Sequence, residues 1–503
     1  MEIEKKYKIL EEISRCVSEN GSGEDEENIL RNFLPLRTYS KLADPKIFLI
    51  IGGRGTGKTE LFRILTFCGG LSYILSDRDR MRYTKLKESE FLTGYIATGS
   101  ESKAFPASGV CDDLVKKEKP DNFNSFWGGL ISSVILKRFR EDNEINALAN
   151  GYLGEETKNA LAERSSEVSR WWKTLDFQKE KWESFLDKTD TILQKRDIYI
   201  CIVYDELDRI CGNYENLFGY IRSLLDFWFR HNNRFTNIKA KIFLRSDLYN
   251  AKSLQFVDAS KMGGYRLELN WDTRSLYRLL VKRMANAGSD ETNLYLESVP
   301  GLLQLKKNGE LGYLPNDSED AFRLLIDKMI GRYMGKNAKC GISYTWVPNH
   351  IQDANGEITP RAFLKCFKFA ARAMLNNEND ISSLEGDRIL LPTRLHGAVE
   401  KVSIDRVKEL TQEEYQWLQN LIILLNKKSV LMERTEFLGY LSPENWPVEE
   451  RRKLPGKSNI DILETLKALG IVMETADDRI NIPEIYLHGF GLKRKGGIKR
   501  PIR

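Results

Sequence analysis

Apolar runs of five residues that end at glycines or at acidic residues are the clearest pattern in this chain. Ile47–Ile51 leads into the glycine-rich segment Gly52–Gly57, after which apolar residues recur at helical spacing. Ile200–Tyr204 ends at Asp205 and Glu206. Short apolar runs bounded in this way predict buried strands, and strands that alternate with helical periodicity predict a parallel α/β sheet.

Three further runs extend the predicted sheet. Leu71–Leu75 is a short apolar run that predicts the strand after the glycine loop. Lys239–Asp247 is a longer run with Arg245 near its carboxyl end, and Arg266–Trp271 alternates as a last strand would. Because ligands of such sheets bind at the carboxyl ends of the strands, the residues that follow each run are the candidate site.

Helical spacing dominates much of the remaining chain, including 128–139, 155–190, 216–230 and 273–287. Thr359 and Pro360 are an N-cap and a first helical residue, and they place Arg361 in the first turn of a helix. An arginine is mismatched to the positive end of a helix, so we expect an anion to compensate it. Residues 376–405 carry turn signals and are interpreted as a linker.

The last hundred residues are predicted to form a separate small domain. Gln412–Leu425 and Ile460–Leu469 are amphipathic helices. Gly470–Ile482 has the pattern of a β-hairpin with its turn at Asp477 and Asp478. Helices followed by such a hairpin are typical of a winged helix, a module that binds DNA in some proteins and other proteins elsewhere.

The glycine segment has the spacing G-x-x-x-x-G-K-[ST] between a predicted strand and a predicted helix. Glycines let the backbone turn its N–H groups toward a phosphate, and the following helix adds its positive end. Lys58 is expected to reach the β- and γ-phosphates of ATP, and Thr59 to bind Mg²⁺. The predicted nucleotide-contacting residues are Gly52, Gly53, Arg54, Gly55, Thr56, Gly57, Lys58, Thr59 and Glu60.

Four side chains are the candidates for catalysis. Asp205 is expected to hold Mg²⁺ together with Thr59, and Glu206 to act as general base toward the attacking water. Many strands end in acids, so the pair is informative only downstream of the phosphate-binding loop. Arg245 is placed as a sensor of the γ-phosphate, or as a strand-end residue paired with a surface acid. Arg361 is placed as a second phosphate contact, or as a surface arginine.

The composition of the chain limits the classes of protein to which it can belong. The 503 residues are 41% hydrophobic, and no apolar run is long enough to span a membrane. Seven scattered cysteines and four histidines without metal-ligand spacing argue against zinc and favour a cytoplasmic protein. Net charge is only +5, but Gly491–Arg503 holds six basic residues and no acid. This tail is either a phosphate-contacting arm or a solvated end.

Taken together, Gly52–Thr59, Asp205–Glu206, Arg245 and Arg361 resemble the motifs of AAA+ or STAND-type P-loop ATPases. The order of sheet, helical lid and winged helix is similar to that of origin-recognition-type ATPases. Three segments resemble bacterial ATPases of anti-phage defence loci: Lys241–Asp247, Thr359–Leu364 and Ile485–Gly497.

The resemblance implies a three-layer P-loop NTPase sheet with a helical lid and a C-terminal winged-helix domain. Its boundaries are a helical lead-in (1–42), an ATPase core (43–272) with an insertion at about 76–195, a lid (273–405) and a winged helix with basic tail (406–503). Arg245 matches the sensor 1 arginine of STAND-type proteins, and Arg361 resembles sensor 2. Arg230 and Arg234 are candidates for an arginine finger, which ring-forming members supply in trans.

Four functions remain open at this point. The first is an Mg²⁺-dependent ATPase switch that forms homo-oligomers or engages a protein effector, within an anti-phage system. The second is a DNA-binding initiator or loader that uses residues 406–503. The third is a scaffold that binds nucleotide without turnover, which Glu206 argues against. The fourth is a small-molecule kinase, which the lid and the C-terminal module disfavour.

Overall fold

The computed structural model describes residues 1–16, 26–75, 86, 88–118, 120, 122–250, 254, 261–304 and 308–494. The chain divides into two compact units, one formed by Pro35–Leu269 and the other by Met1–Leu34 together with Asn270–Arg503. Most of the predicted basic tail, residues 495–503, lies outside the described residues. Two helices precede the first unit and group with the second: α1 (Ile3–Arg15) and α2 (Glu26–Asn32).

In its described residues, the first unit has five strands with helices between them. Its elements are β1 (Leu49–Gly52), α3 (Lys58–Phe67), β2 (Glu90–Tyr95), α4 (Ser108–Glu118), α5 (Asn124–Arg138), α6 (Asn143–Leu153), α7 (Glu155–Arg164), α8 (Trp172–Phe177), α9 (Lys179–Lys195), β3 (Ile200–Tyr204), α10 (Tyr214–His231), β4 (Ile238–Arg245), α11 (Ser246–Asn250) and β5 (Arg266–Glu268).

The five strands form one parallel sheet in the order β2-β3-β4-β1-β5. Residues of β1, β3 and β4 are almost entirely buried, which is why β1 and β3 are continuous apolar runs. Lys239 and Lys241 of β4 are buried too, and their ammonium groups donate to the backbone carbonyls of Asn232 and Asp44. Gly52 lies opposite Arg245, and Tyr204 lies opposite Ile242. The predicted parallel α/β sheet is thereby confirmed. Because the strands are parallel, the carboxyl ends of β1, β3 and β4 lie side by side along one edge of the sheet, which we call the site edge.

Helices cover both faces of this sheet. Tyr204 and Phe243 lie on opposite faces, because Tyr204 is paired with Ile242 and successive residues of a strand alternate. Phe62 of α3 packs edge-on against Phe243 with ring centroids 6.5 Å apart. On the other face Tyr204 contacts Trp127 of α5 and Trp228 of α10. The result is a layer of helix on each side of the sheet.

The prediction of a strand at Leu71–Leu75 is wrong. Residues 70–73 form a 3₁₀ turn, and the next strand among the described residues is β2, which begins at Glu90. The chain turns at Gly69 and Gly70, whose φ angles are +90° and +66°. A side chain on Gly70 would lie 2.9 Å from the ring of Phe91, so the turn packs closely on β2 instead of extending beside it.

The second unit is mainly helical and ends in small sheets. Its further elements are α12 (Thr273–Ala285), α13 (Asp290–Glu297), α14 (Glu319–Met329), α15 (Ser343–Ile351), α16 (Pro360–Leu375), α17 (Glu378–Ser382), α18 (Pro392–Glu409), α19 (Leu418–Leu425), β6 (Ser429–Val430), β7 (Met432–Glu433), α20 (Arg434–Tyr440), α21 (Asn459–Ala468), β8 (Met473–Glu474), β9 (Arg479–Asn481), α22 (Glu484–Leu487) and β10 (Lys493–Arg494).

The interpretation of 376–405 as a linker is also wrong, because α18 occupies 392–409. Leu395, Ala398, Val399 and Val402 of this helix are buried at helical spacing. The helix packs against α16 and α22, and the Ser403 hydroxyl accepts a hydrogen bond from the Gly489 backbone N–H at 3.0 Å. A boundary at 405/406 therefore falls inside a helix.

The C-terminal module contains the predicted hairpin. β8 and β9 pair antiparallel, and β7 joins β9 on its other side. Asp478 has a φ of +57°, which a tight turn requires and aspartate tolerates. The turn at Asp477–Asp478 is confirmed. A separate parallel ribbon joins β6 and β10.

Candidate functional site

The loop between β1 and α3 contains glycines at positions where a larger side chain would clash or strain the backbone. A Cβ on Gly52 would collide with the Thr56 hydroxyl and lie 3.2 Å from Leu269. Gly55 and Gly57 have φ angles of +79° and +97°, which non-glycine residues rarely adopt. The helix α3 then begins directly at Lys58. A glycine loop that ends at a helix N-terminus is a ready anion-binding site.

Lys58 folds back over this loop. Its Nζ donates hydrogen bonds to the carbonyls of Gly52 and Gly53, each at 2.8 Å. Burial lowers the pKa of the ammonium group to about 8, although Asp205 opposes that effect. The cation is thus held by neutral carbonyls beside the helix N-terminus, where an anion would stabilise it further.

Asp205 follows β3 and is almost fully buried. Burial raises the pKa of its carboxyl group to about 6, while the Thr59 hydroxyl and the Glu206 backbone N–H donate hydrogen bonds that counteract this. Its Oδ2 atom is buried and has no hydrogen-bond partner in the part of the chain that the structure describes. Such an oxygen beside a threonine hydroxyl fits the ligand set of Mg²⁺, because a cation there would compensate the buried charge.

Glu206 lies at the same edge with a strained backbone, φ +54°. Both of its carboxylate oxygens accept a hydrogen bond from the Thr98 hydroxyl at 2.8 Å, and Oε2 also accepts one from the Ala97 backbone N–H at 3.2 Å. These donors belong to the segment after β2. Sequence reasoning missed Thr98, because β2 itself was not recognised as a strand.

Arg245 ends β4 opposite Gly52 and is mostly buried. Its guanidinium forms two hydrogen bonds to Asp247, at 3.0 and 2.8 Å, and one to Asp208 at 3.2 Å. Asp208 lies in a 3₁₀ turn after β3, and Asp247 lies in α11. Pairing with acids is what the alternative interpretation of Arg245, a strand-end residue, predicts. Its role as a phosphate sensor stays a prediction.

Arg54 and Glu60 are half-buried, in the glycine loop and in the first turn of α3. The two arginine-finger candidates are exposed and paired: Arg230 with Asp226, and Arg234 with Asp187. Their role as arginine fingers stays a prediction.

Arg361 belongs to the second unit. It lies in the first turn of α16, whose N-cap Thr359 accepts a hydrogen bond from the Ala362 backbone N–H. The anion expected near it is Glu409 of α18. Burial alone would raise the pKa of Glu409, but Lys365, Arg406 and Arg361 hold it below its usual value. Lys365 forms ion pairs with Glu409 at 3.0 Å and with Asp405 at 3.1 Å.

The structure therefore brings Gly52–Lys58, Thr59, Asp205, Glu206 and Arg245 to one edge of the sheet of the first unit. Among the described residues, no group of three or more metal-ligating side chains forms a ready-made metal site. None of the described helices combines the length and hydropathy that a bilayer span requires.

Comparison with models of known protein families gives one match. Residues 19–196 match the family described as ORC-CDC6-like. The matched stretch includes the glycine loop, Lys58 and Thr98 but ends before β3. A search of the curated proteins found no match. The similarity to origin-recognition-type ATPases stated from the sequence is confirmed over the matched stretch, and no comparison bears on the resemblance to defence ATPases.

Two solved structures are similar over most of the chain at low identity. The first is the Aeropyrum pernix ORC2 protein in ADPNP-ADP complexes, at 12% identity over 91% of this chain and 93% of that one, with a TM-score of 0.38. The second is Cdc6p from Pyrobaculum aerophilum, at 12% identity over 94% and 95% of the two chains, with a TM-score of 0.28.

Proposed function

We propose that this chain is an Mg²⁺-dependent ATPase that acts as a nucleotide-controlled switch. The proposal rests on the Oδ2 atom of Asp205, which is buried and has no hydrogen-bond partner among the described residues. Asp205 accepts a hydrogen bond from the Thr59 hydroxyl and lies at the same edge of the sheet as the glycine loop. The ORC-CDC6-like match over the glycine loop supports the same reading.

Each residue has a defined task in this proposal. The loop N–H groups and Lys58 bind the phosphates, and Thr59 with Asp205 would hold Mg²⁺. Bound Mg²⁺ supplies neutralisation of phosphate charge. Glu206 accepts a proton from the attacking water at its carboxylate, and Thr98 orients that carboxylate through the hydrogen bond described above. Arg245 and Arg361 respond to the presence of the γ-phosphate.

The test is phosphate release by the full chain with ATP, compared with GTP. We expect hydrolysis that requires Mg²⁺ and falls to background when EDTA removes the metal, because the buried Asp205 carboxylate then has no cation to bind. Absence of turnover with ATP, alone and in the presence of duplex DNA, would leave only the non-catalytic scaffold.

The switch has an output, which we propose to be assembly of copies of this chain or binding of a protein effector. A nucleotide can shift two conformations only through contacts that differ between them, and Arg361 is the residue proposed to make that difference. Mass photometry with and without ATP distinguishes a monomer from an assembly.

We further propose a role in bacterial anti-phage defence, on the resemblance of Lys241–Asp247, Thr359–Leu364 and Ile485–Gly497 alone. Phage plating efficiency on cells that express this chain with its neighbouring genes measures it directly. Equal plating with and without those genes refutes the defence role and leaves the ATPase proposal intact.

A second function, favoured by the ORC-CDC6-like match, is that of a DNA-binding initiator-like ATPase. The helices α20 and α21 with the β8–β9 hairpin are proposed to be a winged-helix module. We expect the full chain to bind duplex DNA with an affinity that falls steeply as salt rises, because cations that contact phosphates release counterions. Fluorescence anisotropy at several KCl concentrations measures this slope, and a flat salt dependence would contradict phosphate binding.

A further inference from the structure

The helix that would read DNA in a helix-turn-helix arrangement lacks the side chains for it. That position belongs to the second helix, here α21, and base edges are read by Arg, Lys, Asn or Gln. The exposed residues of α21 are Ile460, Glu464 and Ala468. Its asparagine, Asn459, is half-buried and donates its side-chain N–H to the Leu438 carbonyl at 3.2 Å. Its single cation, Lys467, is ion-paired with Glu464 and with Glu474, both at 3.1 Å.

The β8–β9 hairpin and its neighbours are acidic as well. Arg479 is paired with Asp477 at the hairpin turn, and Arg434 with Glu474. We name this surface the acidic face; its carboxylates are Glu433, Glu436, Glu464, Glu474, Asp477 and Asp478. Its three cations, Arg434, Lys467 and Arg479, are all engaged by these acids. A phosphate backbone placed here would be repelled.

The opposite charge is found at the β6–β10 ribbon. Lys493 pairs with Ser429 and Arg494 with Val430, and the Lys493 backbone N–H donates to the Lys428 carbonyl at 2.8 Å. The Lys427 N–H donates to the Gly491 carbonyl at 2.8 Å. These bonds bring three exposed lysines together with Arg494, which is half-buried and donates a hydrogen bond to the Ile482 carbonyl at 3.1 Å. We name the set Lys427, Lys428, Lys493 and Arg494 the basic ribbon.

The basic ribbon is available for a ligand. Lys427, Lys428 and Lys493 are exposed, and within the described residues none of the four cations forms an ion pair. Lys428 Nζ lies 5.1 Å from the ring centre of Tyr440. The sequence then continues with Lys495, Lys499, Arg500 and Arg503 and no acid.

We propose that the basic ribbon, and not α21 or the hairpin, is the surface of this protein that binds the phosphate backbone of duplex DNA. The inference rests on the DNA-binding function proposed above and names the surface that performs it. The exposed lysines of the ribbon have no carboxylate to leave when they bind a phosphate, whereas every cation of the acidic face would first have to leave one. Contacts of this kind carry no sequence information, so binding is expected to be independent of sequence.

The experiment is anisotropy of the full chain with two unrelated 30-base-pair duplexes across a KCl series. The double variant Lys428→Ala with Lys493→Ala should weaken binding to both duplexes equally. It should also make the plot of log affinity against log salt shallower by about two, one for each lost phosphate contact. The matched control is Arg452→Ala with Lys457→Ala, which removes the same charge from exposed positions of the same module that form no ion pair within the described part of the chain. This pair should leave the slope unchanged.

A third variant, Lys467→Ala, tests the rival surface and should not change the slope. If wild-type protein binds no duplex DNA, the DNA-binding function and the ribbon proposal both fail. If it binds, but the loss follows Lys467→Ala or is equal in the control pair, the DNA-binding function stands and the ribbon proposal is wrong. Ribbon-dependent binding to phosphatidylserine vesicles in place of DNA also overturns it.

Discussion

Lys58→Ala is expected to abolish tight ATP binding and with it hydrolysis. The ammonium group lies on the glycine loop, where it donates hydrogen bonds to the carbonyls of Gly52 and Gly53. Removing a charged partner from a desolvated phosphate contact costs about 2–5 kcal/mol. That corresponds to a loss of affinity of about 30-fold or more, measurable by titration with a fluorescent ATP analogue.

Because the substitution also removes two hydrogen bonds within the loop, folding must be separated from binding. Thermal unfolding without nucleotide should be close to that of wild type, while the rise in melting temperature that Mg²⁺-ATP gives to wild type should vanish. The matched control is Lys181→Ala, the same change at an exposed lysine of α9, which should behave as wild type. Wild-type nucleotide affinity in Lys58→Ala would refute the assignment of the loop. If the defence role holds, this variant should also lose protection against phage.

Glu206→Gln is expected to bind ATP normally and fail to hydrolyse it. Glutamine keeps the shape and can still accept the hydrogen bonds from Thr98 and Ala97, but an amide cannot take a proton from water. General-base catalysis contributes about 10²–10⁴-fold, so kcat should fall by that order. Single-turnover hydrolysis of radiolabelled ATP, measured beside equilibrium binding, separates the two effects.

The control for this variant is Glu163→Gln, a carboxylate-to-amide change at an exposed residue of α7 in the same unit. Its turnover should equal that of wild type. A normal rate in Glu206→Gln would remove Glu206 from the role of base, and a joint loss of binding and turnover would show that Glu206 supports the loop and not the chemistry.

The central strands of the sheet could be predicted from sequence because they are buried on both faces. Ile200–Tyr204 is apolar throughout and coincides with β3, so Asp205 could be placed at the site edge. β2 is the edge strand next to it, and its residues Glu90–Tyr95 mix charge, threonine and glycine. No periodicity identifies such a strand, and Thr98 was missed with it.

The other features that could not be predicted from the sequence depend on contacts between distant segments. Glu409 affects Arg361 only because α16 and α18 pack side by side, and no local pattern relates residues 48 positions apart. The helix α18 was misinterpreted because Pro392 and Gly397 are turn signals, although Pro392 is at an allowed first position. The helical spacing of the apolar residues predicts this helix more strongly than the two turn signals argue against it. These residues are Leu395, Ala398, Val399 and Val402.

The helix α18 has a mechanical consequence. Its 18 residues span about 27 Å, and one side of it is held to α16 through Lys365, near the residue proposed to sense nucleotide. Its other contacts, with α22, lie in the C-terminal module. Both sets of contacts share the last turns of α18, where Asp405 and Glu409 pair with Lys365 of α16 and Ser403 accepts the hydrogen bond from Gly489. A movement of α16 is therefore expected to be transmitted through α18 to the C-terminal module. Two glycines inserted in α18 would make the helix flexible and weaken this coupling.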